Sequence, residues 1–298
     1  MRIREQREDI WGRAHTLSFH GVLLHAESRY QECIDKCREA IQLFERSGDY
    51  WELTTSRYEV ALSLYRLGDL HGAIEEAQRT RQIGLDIGDR QASGMPLDVW
   101  VRASRGQVPA EILQSELNVE REDPQTESQL LLAEGVRLIY AGELQQAVAT
   151  LEQANRVANS AGIRHAWVAA ILPWLATARR MQLAAALADR SPQRRKLAKQ
   201  ARRATRRAHR LAKSFKNELP HVLREHGLLA ALQGKHRRAK AFFDRSLSVA
   251  EAQDARYEQA QTLLERGKHG AEAGWPGAAD DMQRAREMQR AIFGEDAA

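Results

Sequence analysis

Gly135-Val136-Arg137-Leu138-Ile139-Tyr140-Ala141-Gly142-Glu143-Leu144-Gln145-Gln146-Ala147-Val148 is the stretch that decides the fold. Apolar residues recur every three or four positions on both sides of Ala141-Gly142-Glu143, the spacing of two helices joined by a tight turn. Gly142 supplies the left-handed residue on which helices commonly end. The same plan returns as Ala61-x6-Gly68-x-Leu70-x2-Ala73-Ile74 and as Gly227-x6-Gly234-x-His236-x2-Ala239. It opens the chain as Gly21-x8-Tyr30-x2-Cys33-Ile34 and closes it as Gly267-x6-Gly274-x4-Ala279. A weaker copy surrounds Gly106. A stretched one has its first helix over 165–188 and its second over 193–216. Turn glycines at 68, 106, 142, 234 and 274 place neighbouring clear copies 36 to 40 residues apart.

A period of that length is the mark of an array in which each helix pair buries its apolar face on the next. Small residues stand on both helices of each pair: Gly21, Ala61, Gly135, Gly227 and Gly267 on the first, Cys33, Ala73, Ala147, Ala239 and Ala279 on the second. Two helices approach closely only where neither side chain is bulky. Composition agrees. Ala, Leu, Arg, Gln and Glu dominate while Val, Ile and Thr are sparse, which favours helix over strand. At the C-terminus Asp280, Asp281, Arg284 and Arg286 are expected to give the last pair a polar outer face.

These features resemble the tetratricopeptide repeat in a longer-helix form, from Trp11 to Phe293. The resemblance implies an all-α, right-handed α-solenoid of about seven helix hairpins. Residues 1–10 then read as a charged amphipathic helix, the end of a preceding repeat, and 294–298 as a tail. The proline that usually ends the second helix is missing from every copy, and the usual first-helix Trp is replaced. Tetratricopeptide-like arrays turn their first helices inward. By that resemblance the concave groove presents Ser18, Val22, His25, Tyr58, Leu62, Tyr65, Arg66, Tyr140 and Arg224 to a protein or peptide partner. Tyr58, Tyr65 and Arg66 form the best single patch, since Tyr and Arg dominate interaction hot spots.

A narrower resemblance rests on Glu8-Asp9-Ile10-Trp11-Gly12-Arg13, Tyr65-Arg66-Leu67-Gly68-Asp69-Leu70 and the stretch 255–264. These look like the C-terminal repeats of large bacterial proteins that join a Ser/Thr kinase or nucleotide cyclase to a signalling ATPase. The resemblance implies a non-catalytic sensor or regulatory module acting in signal transduction.

No catalytic signature competes with that reading. Gly234-Lys235 and Gly267-Lys268 lack the rest of a phosphate-binding loop, and no His-Glu-x-x-His or Gly-x-Ser-x-Gly occurs. No cofactor is expected. Two cysteines exclude a disulfide scaffold. Cys33 and Cys37 lie one helical turn apart and, with His20, could offer zinc two thiolates and an imidazole. As small apolar residues they fit the repeat core equally well, and that reading is preferred because both fall at core positions. No signal peptide opens the chain, and its most apolar stretch, 166–178, is too short to span a bilayer. A cytoplasmic location is expected.

The charge is uneven. The net +5 and pI near 9.3 come from one segment. Residues 190–216 hold twelve Lys/Arg and no Asp or Glu, while the remainder holds 33 Lys/Arg against 40 Asp/Glu. Within it Leu197, Ala201, Ala204, Ala208, Leu211 and Phe215 form an apolar stripe. Arg194, Arg195, Lys199, Arg202, Arg203, Arg206, Arg210 and Lys213 take the other faces. Three readings follow: a solvated outer face, a dock for an acidic partner, or an anion patch for a nucleic-acid backbone or anionic membrane. The anion patch is the alternative function. Without interleaved aromatics it would bind nucleic acid independently of sequence.

Overall fold

Asp9 starts the first helix by accepting the N–H of Gly12 at 2.9 Å, which satisfies one of the helix's unpaired donors. The device repeats. Asp49, Asp69, Asp89 and Asp123 cap later helices in the same way, three of them directly after a turn glycine. The computed structural model describes residues 9–294, and every regular element among them is helical. Its first two hairpins are α1 (Ile10–Ala26) with α2 (Tyr30–Ser47) and α3 (Tyr50–Leu67) with α4 (Leu70–Ile87). A third, broken unit follows: α5 (Arg90–Gly94), α6 (Leu97–Ala103) and α7 (Ala110–Leu117), with Pro96 before α6 and Pro109 before α7. Regular pairing resumes with α8 (Pro124–Tyr140) and α9 (Leu144–Ser160). Next come the short α10 (Ala166–Ala169) and α11 (Ile171–Ala188), the latter paired with α12 (Arg194–Leu211). After a 3-10 turn at Lys216–Glu218, α13 (Leu219–Ala231) pairs with α14 (His236–Ala252), and α15 (Arg256–Ala273) with α16 (Ala278–Phe293). The described residues form a right-handed solenoid of seven helical units.

The hairpins close where a first-helix glycine admits a side chain of the second helix. A Cβ built on Gly227 would lie 2.6 Å from the Phe243 ring, so α13 and α14 meet where only glycine fits. The aligned turn glycines at 68, 106, 142, 234 and 274 all take left-handed φ, from 67° to 86°.

Several details differ from expectation. The first helix of the stretched repeat is not continuous: it breaks at Ala170, and Pro173 sits in the first turn of α11, where its missing N–H is harmless. The basic helix ends at Leu211, so Phe215 lies beyond it. First-helix glycines do not face the second-helix small residues. Gly21, Gly135, Gly227 and Gly267 instead receive Cys37, Leu151, Phe243 and Met282. In the last pair Ala278 is buried and Ala279 exposed. Asp281 is not on an outer face; it is buried in an ion pair with Arg266 at 2.6 Å. Residues 1–8 and 295–298, and with them most of the expected N-terminal helix and C-terminal tail, lie outside the described residues.

The superhelix turns far enough to bring its last hairpin onto its second. A Cβ built on Gly68, in the α3–α4 turn, would stand 3.3 Å from Arg256 of α15 and 3.0 Å from Ile292 of α16. The Arg105 guanidinium lies 4.8 Å over the Phe293 ring. Tyr257, Ile292 and Phe293 join the apolar cluster of the first two hairpins.

Candidate functional site: the polar interior

First helices do line the inside, but what they present meets across it. Arg66 of α3 pairs with Glu218, before α13, and lies 3.5 Å from Glu258 of α15. Arg224 of α13 takes the other oxygen of Glu258. The three groups of the Arg66–Glu258–Arg224 array are buried, Glu258 at 1% exposure. Burial raises the Glu258 carboxyl, but Arg224, His221 and Arg66 outweigh it and hold it down at about 2.

A second layer continues from this array. The Tyr65 and Tyr257 rings stand 4.7 Å apart, and the Arg102 guanidinium lies 5.2 Å from the centre of the Tyr65 ring. Arg102 donates to Asp98 at 2.6 Å, and Tyr58 donates to the other Asp98 oxygen at 3.0 Å. Gln129 of α8 donates to Tyr58 at 2.7 Å. Glu59 accepts the Trp167 indole N–H, and burial pushes its carboxyl up to about 7. Near the fifth hairpin, Thr177 bonds both His221 and Glu225 at 2.9 Å, and Arg180 closes on Glu225 at 2.7 Å.

The groove residues expected from sequence fall out as follows. Tyr58, Tyr65, Arg66 and Arg224 enter this network, and Leu62 is buried beside it. Ser18 is buried and accepts from Ser56 at 3.0 Å. His25 is buried, sharing hydrogen bonds with Ser63 at 2.9 Å and Asn217 at 3.4 Å. Val22 is half-buried, and Tyr140 is 40% exposed. Their partners Glu218, Glu258, Asp98, Arg102, Gln129 and Glu59 were not singled out from sequence. The pairings span up to 192 residues, a distance at which sequence carries no contact signal.

Cys33 and Cys37 are buried with sulfurs 4.0 Å apart, and their face does not meet His20, which is exposed. Donor atoms of His25, Cys33 and Glu59 instead lie within 4.8 Å of one another. The basic segment sits elsewhere, on the second helix α12. Lys199, Arg202, Arg203, Arg206, Arg210 and Lys213 line one outer groove, while Arg194 and Arg195 stand exposed outside it.

The fold has known counterparts. No family model and no curated protein matches the sequence. A Rap protein complexed with competence and sporulation factor superposes with a TM-score of 0.68 at 12% identity, over 94% of this chain and 76% of that one. The chain has a tetratricopeptide-like helical repeat fold. BtubC (BKLC) from P. vanneervenii is a more distant likeness, with a TM-score of 0.50 at 17% identity over 77% of this chain and 91% of that one. At these identities the shared feature is the fold.

The interior fixes a pH dependence. Burial first, and Arg224 next, lower the His221 imidazole to about 4; burial and Arg66 hold His25 well below 6.5. Unfolded imidazoles protonate near 6.5, so unfolding takes up protons below that pH. The stability tied to these groups is intact above pH 6.5 and is lost as pH falls toward 4, about 3 kcal/mol for His221. Glu59 works in the opposite sense: its share is full below about 4.5 and is lost as pH rises through 7. Urea midpoints measured from pH 7 to pH 4 are therefore expected to fall, and His221→Gln to flatten the slope.

No helix among the described residues is long and apolar enough to cross a membrane.

Proposed function

We propose that this chain is a non-catalytic regulatory module that binds a protein or peptide segment in its interior. The observation that carries the reading is the chemistry of that interior. Replacing buried ion pairs by apolar residues of similar volume is often neutral or stabilising, so a fold gains little by keeping Arg66, Arg102 and Arg224 there with four or more carboxylates. A recognition surface gains specificity from the same groups. Several buried polar atoms also have no hydrogen-bond partner among the described residues: Glu59 Oε2, Gln129 Oε1, Asn217 Oδ1 and Arg66 Nε. Such atoms are costly in a finished core and useful in a site. The likeness to a repeat protein complexed with competence and sporulation factor supports the same reading.

The partner enters by separating the last hairpin from the second and replacing one member of the Arg66–Glu258–Arg224 array with its own charged group. The module acts in bacterial signal transduction in the cytoplasm. The likeness of 65–70 and 255–264 to repeat tails supports a role in controlling a signalling ATPase or kinase. Coding sequence for such a domain in frame upstream of Met1 is the observation that tests this role.

Binding is tested with a phage-displayed library of random short linear peptides selected on the intact protein. Selected peptides should raise the melting temperature and lose at least tenfold in affinity on Tyr140→Ala, which leaves the buried array intact. Peptides that bind equally well to Tyr140→Ala and to Arg224→Gln would contradict the interior site.

A further inference from the structure

The groove beside α12 is a second site, independent of the interior. It has a volume of about 880 Å³. One wall is α12, with Lys199, Arg202, Arg203, Arg206 and Arg210 at i, i+3, i+4, i+7 and i+11, a single stripe about 17 Å long. Arg245 and Phe242 of α14 form the opposite wall, and His226 of α13 the floor. Among the described residues no Asp or Glu lines the groove.

Unpaired positive charge is denser here than elsewhere. Outside 190–216 more than half of the described Lys/Arg meet a carboxylate, Arg57, Arg66, Arg102, Arg180, Arg224 and Arg266 among them, while scattered exposed ones such as Arg38, Arg79, Arg237 and Arg286 do not. Among the described residues, none of the twelve Lys/Arg of 190–216 does, nor does Arg245, and the α12 stripe is exposed. The helix also carries like-charge i,i+4 pairs at 199–203, 202–206, 203–207 and 206–210, each opposing helix formation by a few tenths of a kcal/mol. A face that only had to be solvated would be served better by mixed signs.

We infer that this groove binds the phosphate backbone of a single nucleic-acid strand. A protein partner would need an apolar or aromatic anchor at its centre, and none of the exposed large hydrophobic side chains among the described residues lies in the groove. An anionic membrane asks for an exposed apolar face beside the charge; this surface is concave, and among the described residues no exposed large hydrophobic side chain lines it. Strongly positive, polar surfaces that lack such anchors suit phosphate chains. Arginine's fork matches phosphate oxygens in pairs. Walls on both sides suit one strand better than a duplex. The three rings lining the groove already pack on one another: Phe242 stacks on His226 at 4.7 Å and lies 5.5 Å from the Arg238 guanidinium, and His209 meets His226 edge-on at 5.1 Å. Base stacking is therefore not what holds the strand, and binding is independent of sequence.

The test is fluorescence anisotropy of the intact protein with labelled U20 RNA, dA20 and dT20. A 20-base-pair duplex, polyglutamate and phosphatidylserine vesicles serve as competitors. The three single strands should bind within a few-fold of one another. The slope of log affinity against log salt should be near −3, about four phosphates at roughly −0.7 each. Arg245→Glu alone should weaken binding about tenfold. Arg202→Glu with Arg206→Glu and Arg210→Glu should weaken it at least 100-fold at unchanged helix content. Arg194→Glu with Arg195→Glu, outside the groove, should cost less than threefold. Polyglutamate or vesicles competing better than unlabelled U20 would overturn the inference, as would strand binding that survives Arg245→Glu and the triple reversal.

Discussion

Glu258→Ala costs the protein about 3–5 kcal/mol of stability, a large share of the margin of an ordinary domain. Glu258 is 1% exposed and accepts from Arg66 and Arg224 at once. Alanine leaves Arg224 buried with no carboxylate of its own and Arg66 with Glu218 alone. An uncompensated buried charge is far more costly than the intact pair was favourable. The loss reads out as a lower urea midpoint. Glu258→Gln with Arg224→Gln, which removes charge in balance, should recover part of it. Glu75→Ala is the contrast: it breaks an exposed pair with His71 and should move stability by less than about 0.5 kcal/mol. Because Glu258 is held at about 2, its contribution stays whole above about pH 4.5 and is lost as pH falls toward 2.

Phe243→Ala has a comparable cost, about 3–5 kcal/mol, for a different reason. Phe243 is fully buried and fills the space that Gly227 leaves on α13. Its neighbours are spaced around its ring, with His269 at 5.9 Å and Trp275 at 6.3 Å, so little can collapse into the hole. The reciprocal change, Gly227→Val, puts branched carbon where a Cβ alone would stand 2.6 Å from the ring; it should cost about 1–3 kcal/mol or more. In a solenoid such damage spreads through neighbours. Amide exchange should rise first in α13 to α16 and only later in α8 and α9. Equal acceleration throughout would show that closure of the superhelix makes the whole array unfold as one unit.

Local features of this fold were legible in the sequence because they are set locally. Gly68-Asp69 announces both the end of α3 and the cap of α4. The spacing from Gly227 to Ala239 announces a hairpin. The broken third unit and the split between α10 and α11 were harder, since Pro96, Pro109 and Pro173 act on a background of continuing apolar period. The candidate site was half legible. Tyr58, Tyr65, Arg66 and Arg224 stand out as polar or aromatic residues on first helices, where the resemblance implies an inner surface. Glu218 and Glu258 look like any other helical carboxylates. Only the turn of the superhelix brings them to Arg66, and that turn is the sum of small angles between hairpins that no motif records. The α12 groove shows the same limit. Its charge was plain in 190–216, but Arg245, His226 and Phe242, which make it a groove, come from the next hairpin.

The enclosed interior depends on the last hairpin lying against the second, and one cross-link tests that directly. A Cβ on Gly68 would stand 3.3 Å from the Arg256 Cβ, close to disulfide spacing. The doubly substituted protein Gly68→Cys, Arg256→Cys should oxidise rapidly within the monomer, giving one bridge that peptide mass mapping separates from Cys33 and Cys37. If the cysteines introduced at positions 68 and 256 stay reduced while the protein is folded, or bridge only between molecules, the superhelix is open in solution and the enclosed polar site does not exist.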